Sequence, residues 1–267
     1  MTEGVDYADS RPDPACLRRN GKAFAGRYVG GRLSKRITKS EADALKRAGL
    51  KIVTIYEGAA GEMIQGRAAG VAAAQAGRSQ ATAAGMPPNR PIYFALDVDP
   101  ALLTPAQRDQ VGPYLDGAAS VIGRQNVGLY ANFSMIERLC PTHAPWGWQT
   151  VAWSQGRWSA KAHLQQYTIE RSLCGGAVDL NRTSRSDYGQ WPFTPTSGVV
   201  RDMAFMVSNP KGAHLLVTGN AAVLVTSSQM VANHRSAGIP VIKCDDNQFN
   251  RYAKMRIDVD SVHQTEV

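Results

Sequence analysis

Along the first 185 positions, apolar residues come in short runs separated by longer amphipathic or Ala-rich stretches, the rhythm of strands alternating with helices. The runs at 4–8, 24–29, 51–57, 91–99, 126–132, 149–154, 163–168 and 177–181 predict eight strands. Eight is the number that closes a β/α barrel. Thr38-Lys39-Ser40-Glu41 reads as a capping box opening a helix that Gly49 stops, and further helices are predicted over 63–84, 105–123 and 134–139. After the sixth run, Gly156, Trp158 and Ser159 break helical patterning. The expected fold class is therefore α/β, a (β/α)8 TIM-like barrel with some helices degenerate, followed by a small C-terminal α+β module.

That module announces itself by a change of pattern. A stretch rich in turn formers surrounds Pro192 and Pro195, the composition of a linker. Beyond it, strands are predicted at 203–207, 215–217, 222–225 and 240–243, with helices over 228–237 and 246–255. The expected domains are a barrel over 1–187, a linker over 188–200 and a docking or wall-binding module over 201–267, near the lower size limit of an independent domain.

Composition narrows the classes. With 43% hydrophobic and 19% charged residues in 267, the chain can bury a core. Its net charge of +8 suits anionic polymers such as wall teichoic acids, nucleic acid or acidic membranes without choosing among them. The Ala-rich run over 66–85 is interrupted by Gln75, Arg78 and Gln80, so no membrane span is expected. The chain reaches Gly4-Val5-Asp6-Tyr7 without a basic segment and an apolar one, so the expectation is no secretory signal peptide and a setting in a virion tail, or release to the wall by another route. Cys16, Cys140, Cys174 and Cys244 lack Cys-x-x-Cys spacing and read as free thiols.

No cofactor is expected. The turn after the first strand reads Asp6-Tyr7-Ala8-Asp9 rather than a dinucleotide-binding glycine motif, and Walker and Gly-x-Ser-x-Gly sequences are absent. No metal site is expected either, because Asp6, Asp97 and Asp99 have no His at ligand spacing. Basic and aromatic residues do not interleave densely enough for a nucleic-acid partner.

In a β/α barrel, catalytic groups sit at the C-terminal strand ends, and carboxylates recur there. The predicted catalytic set is Asp6, Glu57, Asp97 and Asp99, with Asp97 and Asp99 placed on one face by strand alternation. Neighbouring carboxylates push one another's pKa apart, leaving one protonated and one ionised, as glycosidic hydrolysis requires. Tyr28, Tyr130, Trp153, Gln166, Tyr167 and Asp179 fall at equivalent positions and are predicted to bind substrate, aromatic faces under sugar rings and polar groups on hydroxyls. A single strand-end Asp also serves as a helix cap, so the weight lies on the convergence.

Gly4-Val5-Asp6-Tyr7, Gly26-Arg27-Tyr28, Ile55-Tyr56-Glu57, Ile92 through Asp99, Gly128-Leu129-Tyr130, Gln166-Tyr167 and Val178-Asp179-Leu180-Asn181 together resemble the glycoside-hydrolase-like barrel domain of actinobacteria and their phages, the domain-of-unknown-function 1906 type, over about residues 3–185. That family is similar to the family 25 lysozymes. The resemblance implies a barrel acting on peptidoglycan or another envelope glycan, phage-encoded as a tail component or lysin, with phage tail proteins as partners of 201–267. Family 25 lysozymes end the fourth strand Asp-x-Glu, the Glu being the general acid, where this chain has Asp97-x-Asp99. Asp99 reaches one methylene less far, so the expected proton donor is Glu57 or Asp99, with Asp97 orienting the substrate's 2-acetamido group and Asp6 and Asp179 tuning charge. The alternative expectation is a non-catalytic glycan-binding or structural barrel of a phage tail or envelope assembly.

Overall fold

The computed structural model describes residues 1–192, 204–218, 221–225, 228–229, 231–232 and 241–253. The chain divides into two compact units, Met1–Phe193 and Thr194–Val267. The first is a mixed α/β unit around a closed barrel of eight strands in chain order: β1 (Thr2–Asp6), β2 (Phe24–Val29), β3 (Lys51–Tyr56), β4 (Ile92–Ala95), β5 (Val127–Ala131), β6 (Trp146–Thr150), β7 (Leu164–Leu173) and β8 (Gly176–Thr183). Helices α1 (Pro14–Arg19), α2 (Lys39–Arg47), α3 (Arg67–Ala83), α4 (Pro105–Asp109), α5 (Val111–Ile122) and α6 (Phe133–Leu139) fall between the earlier strands.

Strands β1 to β7 pair in parallel, but β8 runs antiparallel to both β7 and β1. This departs from the all-parallel barrel expected. Only Cys174 and Gly175 separate β7 from β8, and a parallel return needs a crossover of a dozen residues or more. Reversal also changes which end of β8 reaches the mouth. Asp179 arrives there from the strand's first half and lies directly across from Asp6 in the ladder.

Two further boundaries move. β4 ends at Ala95, and the Leu96 N–H makes a last bond to the Tyr130 carbonyl at 2.9 Å, so residues 97–99 have left the sheet and strand alternation does not place Asp97 beside Asp99. β6 begins at Trp146 and stops at Thr150, which puts Trp153 in the loop that follows.

Alternation along β2 illustrates how the sequence makes two cores. Phe24 and Tyr28 point into the barrel with Tyr93, Tyr130, Trp148 and Leu164, while Ala25 and Val29 face the helical layer. The aromatic interior needs a small neighbour: a Cβ on Gly26 would lie 2.5 Å from the Trp148 ring and 2.7 Å from Asp6 Cβ. Outward-facing Arg27 is fully buried and donates to both carboxylate oxygens of Glu41, at 2.6 and 3.2 Å. This explains why the expected capping box is half formed. Thr38 accepts from the Glu41 N–H, but the Glu41 carboxylate is drawn to Arg27 instead of turning back to the cap.

Residues 187–192, within or next to the stretch read as linker, pack into the barrel unit. Tyr188 and Trp191 are buried, Tyr93 donates to the Tyr188 carbonyl at 2.8 Å, and Trp191 Nε1 donates to Thr54 Oγ1 at 2.8 Å. Tyr188 lies 4.9 Å from Phe24, ring centre to ring centre, at the start of β2, so this segment closes the end of the barrel opposite the mouth. The rest of the expected linker, over 193–200, lies outside the described residues.

Free thiols were expected at all four cysteines; two of them are joined. Cys16 and Cys174 form a disulfide that ties the first turn of α1 to the β7–β8 turn, leaving Cys140 and Cys244 as thiols. Their 158-residue separation gives no spacing signal in the sequence.

The second unit has its own sheet, in the order β11 (Ala221–Val225), β10 (His214–Thr218), β9 (Ala204–Ser208), β12 (Val241–Lys243), with helix α7 (Asp246–Ala253). Val207, Leu215, Val217 and Phe249 form its core. The helix expected over 228–237 lies largely outside the described residues.

Candidate active site at the barrel mouth

The C-terminal ends of β1 to β7 open on two clefts. The first, of about 280 Å³, lies on the β1–β8 side and is lined by Asp6, Tyr28, Asp179, Ser10 and Glu170 among others. Its floor is a closed hydrogen-bond network. Asp6, 1% exposed, accepts from Tyr28 Oη at 3.1 Å, from Gln166 Nε2 at 3.0 Å and from Asn181 Nδ2 at 2.6 Å. Gln166 Nε2 also donates to Asp179 at 3.0 Å, so one amide bridges both carboxylates.

The orientation of each amide is dictated by donors behind it. Trp148 Nε1 can only donate, and it donates to Asn181 Oδ1 at 2.8 Å, which turns the Asn181 NH2 toward Asp6. Tyr130 and Thr150 hydroxyls donate to Gln166 Oε1 at 2.9 and 2.8 Å, turning its NH2 toward the acids. Burial raises the pKa of both tyrosine hydroxyls, Tyr28 and Tyr130, so they remain donors.

Burial pushes the Asp6 carboxyl up to about 7, the Asp179 charge pushes the same way, and the three hydrogen bonds oppose both. Asp179 is raised as well, first by burial; the Glu170 N–H bound at 2.8 Å lowers it, and the Glu170 and Asp97 charges raise it. The two acids form one coupled pair that holds a proton near neutrality.

Asp97 is exposed just beyond β4, and its charge is felt at both Tyr130 and Asp179. Glu57, just beyond β3, is ion-paired with Lys35, whose ammonium lies 5.6 Å from the Tyr28 ring centre. Asp6, Tyr28, Tyr130, Gln166 and Asp179 thus form one assembly, with Asp97 and Glu57 at its edge. Tyr167 is not part of it. Alternation turns it outward from its neighbour Gln166, onto Glu3 at 3.3 Å and under the Arg182 guanidinium at 5.2 Å. Asp99 and Trp153 belong to the second cleft, of about 290 Å³, on the β4–β6 side. There Asp99 caps a short 3-10 turn, accepting the Ala101 N–H at 2.9 Å.

The sequence reading missed Asn181, Thr150 and Trp148. Asn181 was accessible from period two, since it shares a strand face with Asp179; Thr150 and Trp148 share a face with each other, out of phase with Trp153, and carried no such signal. Among the described residues no group of three or more His, Cys, Asp or Glu side chains could hold a metal ion, and no helix is long and apolar enough to cross a membrane.

Residues 15–186 match the family described as Rv2525c-like, glycoside hydrolase-like domain. Over 204 residues the chain is 35% identical to a Mycobacterium tuberculosis protein named "Putative peptidoglycan hydrolase Rv2525c", spanning 70% of this chain and 82% of that one. The crystal structure of the M. tuberculosis Tat-secreted protein Rv2525c in complex with L-tartrate superposes with a TM-score of 0.67 at 34% identity, covering 72% of this chain and 99% of that chain. A family 25 glycosyl hydrolase from Bacillus anthracis shares the fold, with a TM-score of 0.51 at 16% identity over 69% of this chain and 89% of that one. The Tat-secreted relative points to export through a signal peptide. It overturns the expected route without one, and the virion setting and phage-tail partners attached to that expectation are not carried forward. The chain belongs to the Rv2525c-like, glycoside hydrolase-like family.

Proposed function

We propose that the chain is an exported hydrolase of glycosidic bonds in peptidoglycan, working at the β1–β8 side of the barrel mouth. The observation that carries this reading is the Asp6–Asp179 pair, a buried acid pushed up to about 7 and wired to an open cleft through Gln166. The relative named as a peptidoglycan hydrolase supports the substrate class. The Cys16–Cys174 disulfide suits an oxidising compartment outside the cytosol.

The assignment of roles shifts from the sequence expectation. Glu57 is occupied by Lys35 and Asp99 by its turn, whereas Asp97 stands in solvent beside the acid pair. Asp97 delivers a proton to the glycosidic oxygen as the C1–O bond breaks. The substrate's acetamido oxygen closes on C1 from the opposite face, Asp179 holding the acetamido N–H, and water then opens the ring and returns a proton to Asp97. Asp6 is a positioning residue that fixes Tyr28 and Gln166 around Asp179. The second unit, compact and with its own core, serves as a wall-binding module.

Release of reducing ends from purified peptidoglycan tests the reading. Asp97→Asn is expected to lower release by about 10²–10⁴-fold with wall binding kept. Asp99→Asn is expected to stay within a few-fold of wild type, because Asn caps as well as Asp. Wild-type binding to walls without release, or full activity in Asp97→Asn, overturns it.

A further inference from the structure

The second cleft is a built site. Asn132, the last residue before α6, accepts the Met135 N–H at 3.1 Å and donates through Nδ2 to the Trp153 carbonyl at 3.1 Å. Buried Gln149 spans the same loop, donating to the Arg157 carbonyl at 2.7 Å and accepting the Ser159 N–H at 2.8 Å. The loop so pinned holds Trp153 and Gln155 at φ +55° and +53°, a left-handed conformation that bulky side chains rarely adopt. Trp153 is thereby presented at 40% exposure.

Charge in the cleft is basic in excess, two arginines to one acid. The Arg157 guanidinium lies 4.3 Å from the Phe133 ring centre, exposed, and has no carboxylate within ion-pair distance among the described residues. Arg108 is fixed by Nη1 to the Pro100 carbonyl at 3.0 Å and to that of Leu103. The one acidic lining residue, Asp99, is engaged by the Ala101 N–H.

We infer that this cleft is a subsite for an acidic saccharide, a pyranose ring stacked on Trp153 with a carboxylate held by Arg157. The inference rests on the reading of the chain as a peptidoglycan hydrolase, and it adds what the acid pair cannot supply, discrimination between acidic and neutral sugars. An unpaired guanidinium beside an exposed indole suits that ligand: the aromatic face takes the apolar face of the ring, and the planar fork takes a carboxylate in two hydrogen bonds. In peptidoglycan the carboxylate comes either from the muramoyl lactyl group or from the peptide stem.

Binding to the full chain carrying Asp97→Asn, which keeps the ligand intact, separates these sources. The probes are a GlcNAc-MurNAc tetrasaccharide with free lactyl carboxylates, the same tetrasaccharide bearing an alanyl-isoglutamate stem, and neutral chitotetraose. At least one acidic probe is expected to bind about tenfold more tightly than chitotetraose, and Arg157→Gln to erase that preference. The probe that loses affinity identifies the carboxylate. Trp153→Ala is expected to weaken all three alike. Equal binding of chitotetraose, or a preference that survives Arg157→Gln, overturns the subsite. Absence of reducing-end release by the wild type while the preference persists would count against hydrolysis alone.

Discussion

On the β1–β8 side of the mouth the carboxylates are largely buried and bound to other side chains, whereas on the β4–β6 side the charged lining groups Asp99, Arg108 and Arg157 reach solvent, and Asp99 and Arg108 are bound to backbone. Asp6 and Asp99 are the same residue type, one at the end of β1 and the other four residues beyond β4. One is pushed up to about 7 because it has lost water and faces Asp179; the other spends its carboxylate on a turn. The lesson is that a carboxylate at a strand end is pushed up only where the fold also removes water and supplies a second acid. Exposure gives the other cleft a different use: its strained Trp153 and its unpaired Arg157 are suited to recognition.

The largest expected effect tests the buried side by pH. The Asp6 carboxyl titrates near 3.8 unfolded and near 7 folded, so between those values the folded chain holds more protons than the unfolded one. Its contribution to stability is complete below 3.8 and is lost as pH rises through about 7, at up to about 1.4 kcal/mol for each pH unit in the window. In Asp6→Asn, the amide oxygen can accept from Gln166 and Asn181 while its NH2 donates to Tyr28. Thermal melts from pH 4 to 8 are expected to show wild type falling relative to Asp6→Asn, with the variant the more stable at pH 8. Parallel curves would place the charge of this pair elsewhere and erase the contrast with Asp99.

A second way to break the comparison is covalent. The Cys16–Cys174 disulfide lies on the β1–β8 side, where Asp13 N–H also donates to the Cys174 carbonyl at 3.0 Å and Ser10 to the Ala177 carbonyl at 2.6 Å. Closing so long a loop stabilises by about 2–4 kcal/mol. Cys16→Ser is expected to lose that amount in denaturant unfolding, and reductant to reduce wild type to the same level while leaving the variant unmoved. The β4–β6 cleft has no such tether, and acidic-saccharide binding there is expected to survive reduction.

Both clefts were only partly legible in the sequence, for reasons that differ. Asp6, Tyr28, Gln166 and Asp179 could be read because inward-facing polar residues interrupt runs that are otherwise apolar. The limits of β4 could not, because Leu96, one residue past the strand's end, is still buried and still donates to the Tyr130 carbonyl at 2.9 Å, so hydrophobicity continues past Ala95. For β6, Val151 and Ala152 extended an apolar run into a loop, and Trp153 was misplaced with it. The direction of β8 was legible in the two-residue gap before it only once the ends of β7 and β8 were known. Arg157 carried no signal, since a lone exposed Arg is ordinary until the loop around it is seen to be rigid.

That rigidity is open to the smallest of these tests. Ser154 is buried between the two residues with left-handed backbone, and its hydroxyl donates to the Thr150 carbonyl at 2.6 Å while accepting the Phe133 N–H at 2.9 Å and Gln149 Nε2 at 3.2 Å. Ser154→Ala leaves two donors and one carbonyl unsatisfied, at a cost of about 1–3 kcal/mol. The global loss matters less than where it appears. If the loop is what presents Trp153, saccharide affinity and the fluorescence anisotropy of an acidic probe should fall, while the reducing-end rate at saturating peptidoglycan stays close to wild type, because Ser154 reaches the Asp6–Asp179 network only through the backbone carbonyl of Thr150, whose hydroxyl orients Gln166. A drop in the saturated rate equal to the drop in affinity would mean that the two sides of the mouth are one mechanical unit, and the division between a reacting cleft and a recognising cleft would fail.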